Sequence, residues 1–169
     1  VVGEMAVDTT TCGGGSCCIK SVDKISILGG LQAEAGEQVE VITIKAEKNK
    51  LNAKEAEEVK SADAVIVSVG FTSLDESECY DKSWALPNNQ DVLIKSVAEL
   101  NPNTIVTLTT GTGVETESWL PKVKGLLHCF FLGEKGGKAV AEIIFGKVNP
   151  SGKLPFTMAK QWDDFEAVK

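Results

Sequence analysis

Apolar residues in this chain fall into short runs separated by helical patterns. Residues 1–7 (VVGEMAV) and 39–44 (VEVITI) read as strands. AVIVSVG at 64–70 is a nearly unbroken apolar run, the pattern of a strand buried on both faces. TIVTLTT at 104–110 and GLLHCFF at 125–131 are the fourth and fifth strands. A short sixth, Lys153 to Thr157, follows the turn Asn149-Pro150-Ser151-Gly152. Four helical stretches lie between them: 24–35, closed by Gly36; Ala53 to Ala62; 89–100, with Leu93, Ile94, Val97 and Leu100 on one face; and Glu134 to Phe145, with Val140, Ile143 and Ile144 inward.

Strand and helix alternate, so the predicted fold is α/β: an open, mostly parallel six-stranded sheet with helices on both faces. It is a flavodoxin-like α/β sandwich, its last strand antiparallel. At 169 residues the chain is one domain with a substantial core. In such sheets ligands gather outside the carboxyl ends of the strands. The loops there are 8–18, 45–52, 71–88, 111–118 and 132–135, and two are unusual. One is the glycine-rich TTTCGGGSCC at 9–18. The other is SLDESECYDKSW at 73–84, with four carboxylates between Asp75 and Asp81. The fold rule places both on one edge of the sheet.

Composition narrows the chemistry. The formal charge is −7 and no basic stripe is visible, which argues against a nucleic-acid partner. No stretch approaches the ~20 apolar residues that cross a membrane. All 17 basic residues are lysines, so bidentate guanidinium recognition is absent. The cysteines at 12, 17, 18, 79 and 129 are odd in number and form no CxxC; with His128 the sole histidine, they suggest free thiols and no metal site. Cys129 reads as a buried strand thiol and His128 as a core or strand-end residue. The chain opens on Val1 without an initiator methionine or signal peptide and reads as a piece of something longer.

Gly13-Gly14-Gly15-Ser16 suggests a phosphate cradle, but it is neither GxGxxG nor GxxxxGK[ST]. The acidic loop is the stronger candidate. It is longer than the ~2–6 residues that join a strand to a helix. Tyr80 and Trp84 offer stacking surfaces, and a carboxylic acid among acidic or apolar neighbours gains the raised pKa that a general acid needs. On composition alone a solvated turn explains it equally well.

Glu76-Ser77-Glu78-Cys79-Tyr80-Asp81-Lys82, followed by Leu86-Pro87 and Gln90, resembles the E-x-E-G-x-D-R … L-P … Q signature of glycoside hydrolase family 3, the β-glucosidase family. Thr9 to Ser16, Asn101-Pro102-Asn103-Thr104, Gly133-Glu134-Lys135-Gly136-Gly137 and FGKVNPSGKLPFT at 145–157 resemble further motifs of that family, and Trp119-Leu120 falls where it has a helix. Cys79 stands where the family has glycine, and Lys82 where it has arginine.

The resemblance is to the family's second domain, an α/β sandwich that packs on an (α/β)8 barrel carrying the aspartate nucleophile. It implies retaining hydrolysis of β-glucosides or related β-glycosides, with Glu78 as general acid/base and Glu76 as the second candidate. Asp81, Lys82 and Trp84 become substrate-binding or loop-bracing residues. The implied partners are a carbohydrate substrate and the barrel, and no cofactor is implied. The chain alone, holding half of a two-carboxylate site, is expected to be inactive. Two other functions are compatible with the residues: a non-catalytic module that shapes a sugar cleft on a barrel, and a stand-alone flavodoxin-like binding domain.

Overall fold

The structure is a computed structural model and describes residues 1–166. Its centre is a parallel sheet of β1 (Val65–Gly70), β2 (Thr104–Thr109) and β3 (Gly125–His128), in that spatial order. Val2 lies beside β1 and bridges Val67 on one side and Ile44 on the other, both in parallel sense. The parallel set therefore runs Ile44, Val2, β1, β2, β3 across the sheet. Every residue of β1 is buried, as its unbroken apolar run requires.

Side chains alternate along β1 and divide the core in two. Val65, Val67 and Val69 face a cluster with Val59, Leu93, Ile94 and Val97, contributed by α2 (Ala53–Ser61) and α3 (Gln90–Leu100). Ile66 faces the other way, onto Ile27, Leu31, Val140 and Ala141 of α1 (Ile27–Glu34) and α4 (Gly136–Ile144). Helices thus cover both faces. α1 and α4 approach so closely that a Cβ on Gly30 would lie 2.0 Å from the Gly137 carbonyl oxygen. Helix starts are set by side chains: the Ser26 hydroxyl accepts from the Gly29 amide, and Asn52 with Glu55 forms a capping box. The Asn101-Pro102-Asn103 turn ties α3 to α2, because the Asn101 Nδ2 donates to the Val59 and Ala62 carbonyls.

Three expected strands are reduced. Residues 1–7 supply only Val2, because Gly3 turns the chain at φ 103° and Glu4–Ala6 follows as a 3-10 turn. A Cβ at Gly3 would meet the Ser68 carbonyl oxygen at 2.3 Å, so glycine is required there. Residues 39–44 form no ladder: Ile44 alone bridges Val2, the Val1 ammonium donates to the Ile42 carbonyl and the Ile44 amide to the Val1 carbonyl, and at the sheet's outer position Val39 and Ile42 are exposed. Residues 153–157 form no strand; Pro155 lacks an amide donor, and Phe156 packs instead on His128 and Phe130. Trp119 does not sit in an α-helix but precedes a 3-10 turn, Leu120–Lys122, wholly buried with its Nε1 donating to the Glu115 carbonyl.

Candidate active site at the carboxyl edge of the sheet

The acidic loop leaves β1 at Gly70, whose amide and carbonyl are both held by the buried Gln90 side chain, at 2.7 and 3.1 Å. The next turn is closed locally, by Asp75 accepting from the Thr72 amide and hydroxyl. The chain then meets the glycine-rich loop. The Gly14 amide donates to the Glu76 carbonyl at 2.8 Å, and the Glu78 amide donates to the Gly14 carbonyl at 3.0 Å. This is a single parallel bridge, Gly14 to Ser77. The two unusual loops therefore do share one edge, and they hold each other. Glycine is needed at 14, since a Cβ there would lie 2.5 Å from the Ser73 carbonyl oxygen.

The two glutamates are used differently. Glu76 is partly buried and points at the loop after β2. It accepts from the Thr110 hydroxyl at 2.8 Å and from the Gly111 amide at 3.1 Å. Glu78 is exposed, and among the described residues its donor is Ser16, whose amide lies at 2.8 Å. Hydrogen bonding from Ser16 holds its carboxyl below the usual glutamate range. Both carboxylates line an open cleft of about 440 Å³ with Gly14, Ser16, Gly111 and Phe131. A larger cavity, about 520 Å³, lies between residues 38–44 and the amino end of β1; no residue of the acidic loop lines it.

Of the remaining candidates, Lys82 and Trp84 brace the loop. Lys82 turns inward: its Nζ donates to the Gly113 carbonyl at 2.8 Å and sits 4.3 Å from the centre of the Phe71 ring. Burial lowers its pKa, and the nearby Glu76 charge opposes that shift. Trp84 packs against Trp162 and Phe165, its ring over Gly113, with its Nε1 buried and without a partner among the described residues. Asp81 is exposed. Cys79 adopts φ 68°, the left-handed conformation that favours glycine. His128 ends β3, with Nε2 3.3 Å from the Thr112 carbonyl oxygen and its pKa lowered by burial. Cys129 is buried and its thiol is pushed up to about 12. Among the described residues no cluster could hold a metal ion, and no helix is long and apolar enough to cross a membrane.

Sequence inspection overlooked Ser16, Thr110 and Gly111 as partners of the carboxylates. Their signal was available: small, polar and glycine residues at the carboxyl ends of strands, where backbone amides approach a ligand or an anion.

Over its whole length, residues 1–169, the chain matches the family described as Glycosyl hydrolase family 3 C-terminal domain. It belongs to that family. Among curated relatives, a probable beta-glucosidase I of Emericella nidulans is 41% identical over 115 residues, 68% of this chain and 14% of that protein. An exo-alpha-(1->6)-L-arabinopyranosidase of Bifidobacterium breve is 34% identical over 160 residues, 91% of this chain and 21% of that protein. Among solved structures, the Bifidobacterium adolescentis GH3 beta-glucosidase superposes with a TM-score of 0.80 at 34% identity, covering 96% of this chain and 25% of that one. Beta-glucosidase 3B of Thermotoga neapolitana, solved with glucose, gives 0.81 at 26% identity, covering 96% and 27%. The chain thus spans about a quarter or less of the relatives it matches.

Proposed function

We propose that this family 3 domain supplies the general acid/base of a retaining β-glycosidase, and that the residue is Glu78. The aspartate nucleophile then lies on an (α/β)8 barrel of the same parent enzyme, and the substrate is a β-glucoside or related β-glycoside. Glu78 is chosen over Glu76 on one observation: its carboxylate is exposed in the open cleft with Ser16 as its donor among the described residues, whereas Glu76 is partly buried and held by Thr110 and Gly111.

In the first step the nucleophile attacks the anomeric carbon. The bond to the leaving-group oxygen breaks, and Glu78 gives that oxygen its proton. In the second step ionised Glu78 takes a proton from water, whose oxygen displaces the aspartate and frees the sugar. The two carboxyls belong about 5–5.5 Å apart for this chemistry. Hydrogen bonding from the Ser16 side chain and amide favours the ionised form of Glu78, which suits the second step. The protonated form needed first requires an opposing influence: the negative nucleophile nearby and exclusion of water by the docked barrel. The chain alone should therefore hydrolyse no aryl β-glycoside. Glu76 anchors the loop, Lys82 and Trp84 brace it, and exposed Asp81 is available to contact the leaving group.

In the full-length parent, Glu78→Ala should slow poor leaving groups about 10²–10⁴-fold. Activated aryl glycosides should lose far less in the first step, and azide should restore the second by attacking the glycosyl-enzyme without a general base. If Glu76→Ala shows that pattern and Glu78→Ala does not, Glu76 is the proton donor. If neither shows it, the domain is a non-catalytic module.

A further inference from the structure

The glycine-rich loop carries a feature that acid/base chemistry does not use. The Cys12 and Cys18 sulfurs lie 3.2 Å apart, in hydrogen-bond contact. Between them in sequence are Gly14, which bridges the acidic loop, and Ser16, whose amide binds Glu78. Cys12 is half-buried and Cys18 exposed, so small reagents reach both. Cys17 is turned away from the pair, with its Sγ toward the Gly13 and Gly14 carbonyls.

We infer that Cys12 and Cys18 form a redox-modification site, a dithiol that closes to a disulfide by exchange with a low-molecular-weight disulfide and so pins the loop that contacts Glu78. The sulfurs need to approach by about 1 Å, since a disulfide bond is about 2.05 Å long. The three intervening glycines make that adjustment easy. Their shared hydrogen bond holds the Cys12 thiol below its ordinary value and Cys18 above it. Either sulfur can attack first with the same product, and the lowered one is Cys12. Its thiolate attacks one sulfur of the reagent and expels the first thiolate. Cys18, losing its proton, then attacks the mixed disulfide at the Cys12 sulfur and expels the second. The protein gives up two electrons and two protons, and one reagent disulfide becomes two thiols.

The test treats the reduced chain with glutathione disulfide, quenches free thiols by alkylation and weighs the peptides after digestion. In wild type and in Cys17→Ser, Cys12 and Cys18 should be joined with loss of two hydrogens and carry neither glutathione nor the alkyl label, whatever exposed Cys79 carries. In Cys12→Ser and Cys18→Ser the remaining member of the pair should not close and should stop as a glutathione adduct. Oxidation should also slow hydrogen exchange at the Gly14 and Ser16 amides, and dithiothreitol should reverse it. Wild type accumulating only as mixed disulfides, Cys12→Ser closing as readily as wild type, or unchanged exchange at both amides would overturn the inference. None of these measurements depends on turnover, so a failed role for Glu78 leaves the outcome interpretable.

Discussion

Glu76 and Glu78 are two residues apart in one loop, yet the loop halves they belong to are built on different principles. The first half, Thr72 to Ser77, is tied at every turn. Asp75 closes it locally, Glu76 clasps Thr110 and Gly111, and the backbone of Glu76 accepts from Gly14. The second half, Glu78 to Asp81, is mostly exposed and hangs on Gly14, Ser16 and a weak turn from Tyr80 to Ser77. A carboxylate can move a proton to a ligand only if its lone pairs are not already committed. On the proposed reading the tied half is the mount and the open half the tool. That division separates stability from activity and can be tested one residue at a time.

The largest expected effect falls on the mount. Glu76→Ala leaves the buried Thr110 hydroxyl and the Gly111 amide without their acceptor. Losing partners of a charged acceptor costs about 1–3 kcal/mol. Urea unfolding of the 169-residue chain should show that loss as a lower midpoint at unchanged slope. Glu76→Gln keeps one acceptor oxygen and should recover part of it. A Glu76→Ala midpoint equal to wild type would erase the distinction between the halves.

A smaller effect is expected at the joint. Cys79 sits at φ 68°, a conformation that costs a non-glycine residue about 1–2 kcal/mol. Cys79→Gly should raise stability by about 1 kcal/mol, less than the strain relieved because glycine is also freer in the unfolded chain. The exposed thiol packs against little, so no loss offsets the gain. A lower urea midpoint for Cys79→Gly would show that the cysteine makes a contact worth more than the strain. The conformation also explains why the departure from glycine leaves the loop in place: cysteine adopts the glycine conformation.

How much of this was legible beforehand depends on what each element is made of. β1, β2 and all four helices appear within three residues of their expected ends, because an unbroken apolar run or a single helical face has one good burial solution. The apolar VEVITI run was misleading: at the sheet's outer position only Ile44 finds a full partner. Gly3 shortened the first strand and Pro155 denied the last one a ladder, effects of single residues that a pattern averages away. At the site, the acidic loop was visible from its composition, but the choice between Glu76 and Glu78 rested on family resemblance. The physical difference between them lies in Ser16, Thr110 and Gly111, brought together only by folding.

The smallest effect tests the open half directly. Hydrogen bonding from Ser16 lowers the Glu78 pKa in the folded chain. A carboxyl whose folded value is depressed contributes stability above its unfolded value, about 4.3, and loses that contribution as pH falls through the folded value. Glu78→Gln cannot titrate. The wild-type midpoint should therefore exceed the Glu78→Gln midpoint slightly at pH 7, and the difference should shrink as pH falls below about 4.3. Other carboxyls titrate in the same range, so only the difference between the two proteins is informative. The gap is small because Glu78 is fully exposed and water competes for the same bond. A gap that widens in acid would mean that the folded chain raises the Glu78 pKa by itself. The domain would then hold its general acid protonated without help from a barrel, and the requirement for a second carboxylate to set that protonation would fall away.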